Sequence, residues 1–198
     1  MFFSPSAAIT APLAALTFIA AAVGIPPEAR ADQAISVPHF RSVGLEGGGT
    51  VTIVPSNVQR VVLRNGSTAY TRISVRRGGS LEIKNCYVRC PRDYRMDLVI
   101  ETPNVEAVAV SNGGLMRFAS SFAPQREISV AVASGGAIDL RALRVSDVSA
   151  AVNSGGSIEL GTPAQLSAAV NSGGSIRYRG NPEVSMAVAN GGSVERAN

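Results

Sequence analysis

The sequence predicts an all-β protein: a parallel β-helix in one domain, with coils of about 18–22 residues. Three observations predict it. Gly-Gly pairs recur at near-constant spacing, apolar and small polar residues alternate on both sides of each pair, and aligning the units on the pairs produces columns of like residues.

The pairs are Gly113 and Gly114, Gly135 and Gly136, Gly155 and Gly156, Gly173 and Gly174, and Gly191 and Gly192. Their first members are 22, 20, 18 and 18 residues apart. That step suits one coil of a β-helix and is too short for a propeller blade or a paired-helix repeat. A corner between two strands needs a sharp turn, and glycine accepts positive φ there without a side-chain clash. Asn or Ser just before each pair is expected to bond to the turn backbone. A phosphate cradle would need a GxGxxG or GxxxxGK[ST] frame leading into a helix, whereas these pairs lead into strands.

Alternation separates an inward from an outward face. Inward fall Ile128, Val130 and Val132, then Val148, Ala150 and Val152, then Leu166, Ala168 and Val170, then Val184, Met186 and Val188. After the turns come Met116, Ile138, Ile158, Ile176 and Val194. Outward fall Ser129, Ser149, Ser167 and Ser185, with Ala109, Ala131, Ala151, Ala169 and Ala187 beside them. Stacked coils would set each column at a pitch of about 4.8 Å, the inter-strand distance.

One outward column is charged. Arg117, Asp139, Glu159, Arg177 and Glu195 each lie four residues past the first glycine of a pair, and they read as an ion ladder. Asp139 and Glu159, one rung apart, are also the one candidate carboxylate pair at the roughly 5 Å spacing of retaining glycosidases. Flanking arginines and a flat face weigh against that chemistry. So do the absence of Trp, a single histidine (His39) and short coils without long loops. The expectation is no catalytic residue, no metal site and no cofactor, with a polysaccharide-active β-helix enzyme as the alternative.

Residues 1–31 read as a signal peptide: an apolar run from Ala11 to Val23 ends in Ala29-Arg30-Ala31, a small-x-small cleavage pattern. The segment before the run carries no Lys or Arg, which leaves an uncleaved anchor or a misassigned start codon as the alternatives. Cleavage would leave a chain of net charge +4 with no stable membrane span, in the periplasm or at the cell surface. An exported chain meets oxidising conditions, so Cys86 and Cys90, the only cysteines, are expected to form a local disulfide rather than a metal site.

Residues 32–100 are less regular and read as a capping half over the regular coils of 101–198, with Asn65-Gly66 as a hairpin signal. They hold the densest positive charge: Arg72, Arg76, Arg77, Lys84, Arg89, Arg92 and Arg95. This cluster is either a solvated surface or an attractor for anionic envelope polymers. Nucleic acid is not expected, because the chain is exported and no aromatic residues interleave the charges.

Most of the mature chain, from Phe40 to about Arg196, resembles a bacterial family of undetermined function, the putative auto-transporter adhesin head GIN domain. The likeness rests on FRSVGLEGGGTVTIV, the strand at 81–83, VIETPNVEAVAVSNGG and above all IRYRGNPEVSMAVANGGSVER. The resemblance implies a right-handed β-helix in an envelope protein. The function expected is a non-catalytic, adhesin-like module contacting an envelope protein or glycan. The small outward residues would let another surface approach closely. An end-to-end assembling scaffold, hence a homo-oligomer, is the other reading.

Overall fold

The computed structural model describes residues 32–120 and 122–197. The leader assigned to residues 1–31 therefore lies outside the described residues. Every regular element among those described is a strand, and no helix there is long and apolar enough to cross a membrane.

The first strands are β1 (Gln33–Ile35), β2 (Ser42–Glu46), β3 (Thr50–Pro55), β4 (Arg60–Asn65), β5 (Thr71–Arg76), β6 (Ser80–Asn85) and β7 (Asp97–Thr102). The repeats supply β8 (Ala107–Ser111), β9 (Leu115–Phe118), β10 (Gln125–Ala133), β11 (Ala137–Leu140), β12 (Val145–Asn153), β13 (Ser157–Leu160), β14 (Gln165–Asn171), β15 (Ser175–Tyr178), β16 (Glu183–Ala189) and β17 (Ser193–Arg196). Each Gly-Gly pair falls between two of these, so even-numbered strands from β8 onward lie in one sheet and odd-numbered strands in the other. The orders are β1-β4-β7-β3-β9-β11-β13-β15-β17 for the nine-stranded sheet and β16-β14-β12-β10-β8-β2-β6-β5 for the eight-stranded one.

Both sheets are mixed, which departs from the purely parallel helix expected. Repeat strands pair in parallel without a register shift, as in Ile138 beside Ile158 and Ser149 beside Ser167. Antiparallel pairs close the far end: β5 on β6, β4 on β7 and β1 on β4. Antiparallel strands need only a tight turn, whereas a parallel neighbour needs a full crossover. The chain makes such a turn at 77–79, between β5 and β6.

The amino-terminal half is more than a cap. β2 pairs in parallel with both β6 and β8, and β3 with both β7 and β9. The β2–β3 coil is thus inserted between the β6–β7 coil and the first repeat, out of sequence order. Asn65-Gly66 is not a hairpin, because β4 and β5 belong to different sheets. Gly66 serves a close approach instead: at its φ of 116° a Cβ would press on the Tyr94 hydroxyl, which accepts a 2.8 Å hydrogen bond from Ser67 N.

Alternation places the core between the sheets. Met116, Ile138, Ile158 and Ile176 come from one side and Ile128, Val130, Val148 and Leu166 from the other, all buried. Fully burying such a side chain contributes about 1.5–3 kcal/mol, and stacking repeats that gain coil by coil. Val184, Met186 and Val188 share the inward columns but differ from expectation. Met186 is 58% and Val188 46% exposed, because β16 and β17 form the last coil and no further strand covers them among the described residues.

Candidate functional site

The turns decide how closely coils can stack. Asn112, Ser134, Ser154, Ser172 and Asn190, each just before a glycine pair, hold positive φ between 52° and 61°, and the first glycine of each pair follows at 80–88°. The second glycine has a different role from the one expected. Of the five second glycines, only Gly114 has positive φ. At Gly136, Gly156, Gly174 and Gly192 a Cβ would instead drive into Val110, Val132, Val152 and Val170, respectively, of the preceding coil.

Of the residues just before the pairs, Asn190 does something other than expected, together with Asn153 and Asn171 two residues before theirs. Asn190 Nδ2 donates to Asn171 Oδ1 at 2.7 Å and Asn171 Nδ2 to Asn153 Oδ1 at 3.3 Å, forming an amide ladder between coils. Nothing in a single repeat announces it: register sets Asn171 beside Asn153, and Asn190 reaches in from one residue past Ala189, the register partner of Asn171.

Across the outer face of the eight-stranded sheet, Ser129, Ser149, Ser167 and Ser185 stand in one register column. Ala109, Ala131, Ala151, Ala169 and Ala187 stand in the next. Two shallow grooves of about 600 and 610 Å³ run down the stack on either side of the alanine column. One margin carries Glu127, Asp147, Gln165 and Glu183 in register and the other the asparagine ladder. Side chains this short leave the backbone-to-surface distance small and the face flat. A partner could approach the sheet closely there, meeting apolar floor in the middle and carboxylates along one edge.

The charged column exists in register: Arg117, Asp139, Glu159, Arg177 and Glu195 are successive neighbours. Its bonding differs from a continuous ladder. Arg177 reaches Glu159 at 3.5 Å. Asp139 instead accepts from Arg141, with Nε to Oδ1 at 2.9 Å and Nη2 to Oδ2 at 2.6 Å, and from the Arg141 backbone N–H at 3.0 Å. Arg117 Nε donates to Thr52 Oγ1 at 3.1 Å. Arg141 was not singled out from the sequence, although its position two residues after Asp139 is the local signal for such a fork. The guanidinium hydrogen bond from Arg141 holds the Asp139 carboxyl below its ordinary range, outweighing partial burial, which pushes it up. A general acid needs the opposite shift. Asp139 and Glu159 are thus each committed to an arginine rather than poised as an acid and a nucleophile.

Cys86 and Cys90 form the disulfide expected of them, with Cα atoms 5.4 Å apart. Cys86 has a φ of 54°, and it follows β6 where Gly47 follows β2 and Asn112 follows β8, so the loop grows from the same corner as the glycine turns. Beneath it Thr71 Oγ1 donates to Asn85 Oδ1 at 2.9 Å and lies 2.8 Å from the Tyr94 hydroxyl. Asn85 Nδ2 donates to Gly48 O at 2.6 Å. Of the basic cluster, Arg76 pairs with Glu82, and Lys84 with Glu46 at 2.9 Å. No group of His, Cys, Asp and Glu fit to hold a metal occurs among the described residues.

These features define an all-β domain of two mixed sheets whose eight-stranded sheet carries Ser and Ala columns on its outer face. Residues 124–182 match the model of the family described as "Putative auto-transporter adhesin, head GIN domain". Among solved structures the chain is similar to a "putative adhesin" from Bacteroides fragilis, at 17% identity over 83% of this chain and 94% of that one, with a TM-score of 0.46. It is also similar to a "putative lipid binding protein" from Parabacteroides distasonis, at 14% identity over 84% and 96%, with a TM-score of 0.44. A "putative adhesin" from Parabacteroides merdae gives 14% over 85% and 96%, with a TM-score of 0.37. No curated protein matches the chain.

Proposed function

We propose that the protein is an exported, non-catalytic envelope module that binds a protein or glycan through the outer face of its eight-stranded sheet. The observation that carries this reading is the in-register Ser and Ala surface repeated over successive coils, with its two grooves. Contact surfaces need flatness and desolvation more than convergent catalytic groups, and the residues of this face are small enough to provide both. The parallel stacking of the repeats is consistent with a right-handed β-helix in this part of the chain, closed at one end by the antiparallel strands. Removal of residues 1–31 and delivery to the periplasm or cell surface belong to the same reading, supported by the apolar run and the Ala29-Arg30-Ala31 pattern.

The test is substitution at the centre of the face. Ala151→Arg and Ala169→Arg point outward from exposed positions, so the fold should survive, as circular dichroism and thermal melting would show. Binding of the purified protein to envelope fractions and to a glycan array should fall at least tenfold in the double variant. Binding equal to that of the parent protein would refute the assignment of the face.

A further inference from the structure

The disulfide loop carries an apolar tip that the fold does not use. Tyr87 is 38% and Val88 45% exposed. They are the only two exposed large hydrophobic residues adjacent in sequence among the described residues. Neither belongs to the core, and the neighbouring Thr71, Asn85 and Tyr94 are hydrogen-bonded to one another without them. Three arginines without an ion pair among the described residues lie at the same loop. The guanidinium of Arg72 lies 4.5 Å from the centroid of the Tyr87 ring. Arg89 is within the closed loop and Arg92 just past it, both exposed. Arg72, Arg89 and Arg92 make no ion pair among the described residues, whereas Arg76 and Lys84 are neutralised by Glu82 and Glu46.

We propose that this tip docks the protein on the surface of a lipid bilayer bearing anionic phosphate headgroups. Val88 and the Tyr87 ring would enter the headgroup–acyl boundary, and the three arginines would lie at phosphate level. An aromatic ring belongs at such a boundary because one end is apolar and the hydroxyl stays wet. A soluble polyanion would use the arginines but would gain nothing from Val88, and for that reason the bilayer is favoured over a glycan. Closing the loop with a disulfide holds the tip in place, so little ordering is required on contact. The site is separate from the small-residue face, and either can fail without the other.

The experiment is co-sedimentation of the purified protein with vesicles of phosphatidylethanolamine and phosphatidylglycerol, and in parallel with phosphatidylcholine vesicles, at low and high salt. The protein should bind the anionic vesicles at low salt and much less the neutral ones. Arg89→Ala with Arg92→Ala should weaken partitioning by about 25-fold, or about fivefold per charge. Tyr87→Ser with Val88→Ser should remove the binding that persists at high salt, with melting temperature unchanged in both variants. Equal binding to both vesicle types, no binding to either, or variants that bind like the parent would overturn the proposal. So would retention on alginate, a soluble polyanion, that is indifferent to the Tyr87→Ser and Val88→Ser changes and unaccompanied by vesicle binding.

Discussion

Adjacent glycines with different roles give the sharpest test of how the coils stack. Gly155 has a φ of 84° and open space where a Cβ would go. Gly156 has an ordinary φ, but its Cβ would run into Val132 Cγ1 and meet Gly136 O at 3.0 Å. That carbonyl cannot retreat freely, because it accepts the Ser157 N–H at 3.0 Å. Val132 is buried at 2% exposure and fixed in β10. Gly156→Ala therefore overpacks a rigid site, at a cost of about 1–3 kcal/mol. The stiffer unfolded chain returns about 0.4–1 kcal/mol of this, for a net loss of up to about 2.6 kcal/mol. Gly155→Ala costs about the same for a different reason, the left-handed backbone of a residue with a Cβ. The two are separated by Val132→Ala, which empties the space the new methyl would fill. In a double-mutant cycle read by urea denaturation, Gly156→Ala and Val132→Ala should couple favourably by about 1 kcal/mol or more. Gly155→Ala and Val132→Ala should be additive to within about 0.5 kcal/mol. Additivity in both cycles would refute the claim that the second glycine is there for space.

Two further outcomes follow from the charged column and the disulfide. The Asp139 carboxyl is depressed in the folded state by Arg141, so its stabilising contribution is present above the unfolded carboxylate value and is lost as pH falls through the folded one. NMR titration should place Asp139 below an ordinary aspartate and return it towards normal in Arg141→Ala, whose stability should also fall less on acidification; an Asp139 pKa unmoved by that change would contradict the assigned pairing. Opening the disulfide with Cys86→Ser and Cys90→Ser frees only a short loop outside the core, so the loss should be about 2 kcal/mol by chain entropy, measured as a shift in urea midpoint with the β-type circular dichroism retained. Global unfolding of that variant would mean that the loop holds the end of the stack together.

Much of this protein was legible in a single repeat. Alternation at Ile128, Val130 and Val132, or at Ser157 and Ile158, specifies strand and face, because successive side chains in a strand must point to opposite sides. The glycine pairs mark where strands end, because a corner is a local event. The Cys86–Cys90 bond is local too, four residues apart along the chain.

What the sequence did not determine involves distance along the chain. The insertion of β2–β3 between later coils depends on which strand edges remain to be paired, and no local pattern encodes that order. The purpose of Gly156 depends on Val132 of another coil, and the amide ladder of Asn153, Asn171 and Asn190 on how successive coils stack. Asp139 chose Arg141 over the rungs above and below because a planar guanidinium two residues away can bind its carboxylate in a fork with both oxygens. Met186 and Val188 repeat the inward pattern of every coil before them, yet they are exposed, because burial belongs to the neighbour that stacks on a residue and not to the residue itself. A repeat sequence fixes what each coil offers; only the assembled stack decides which offers are taken up.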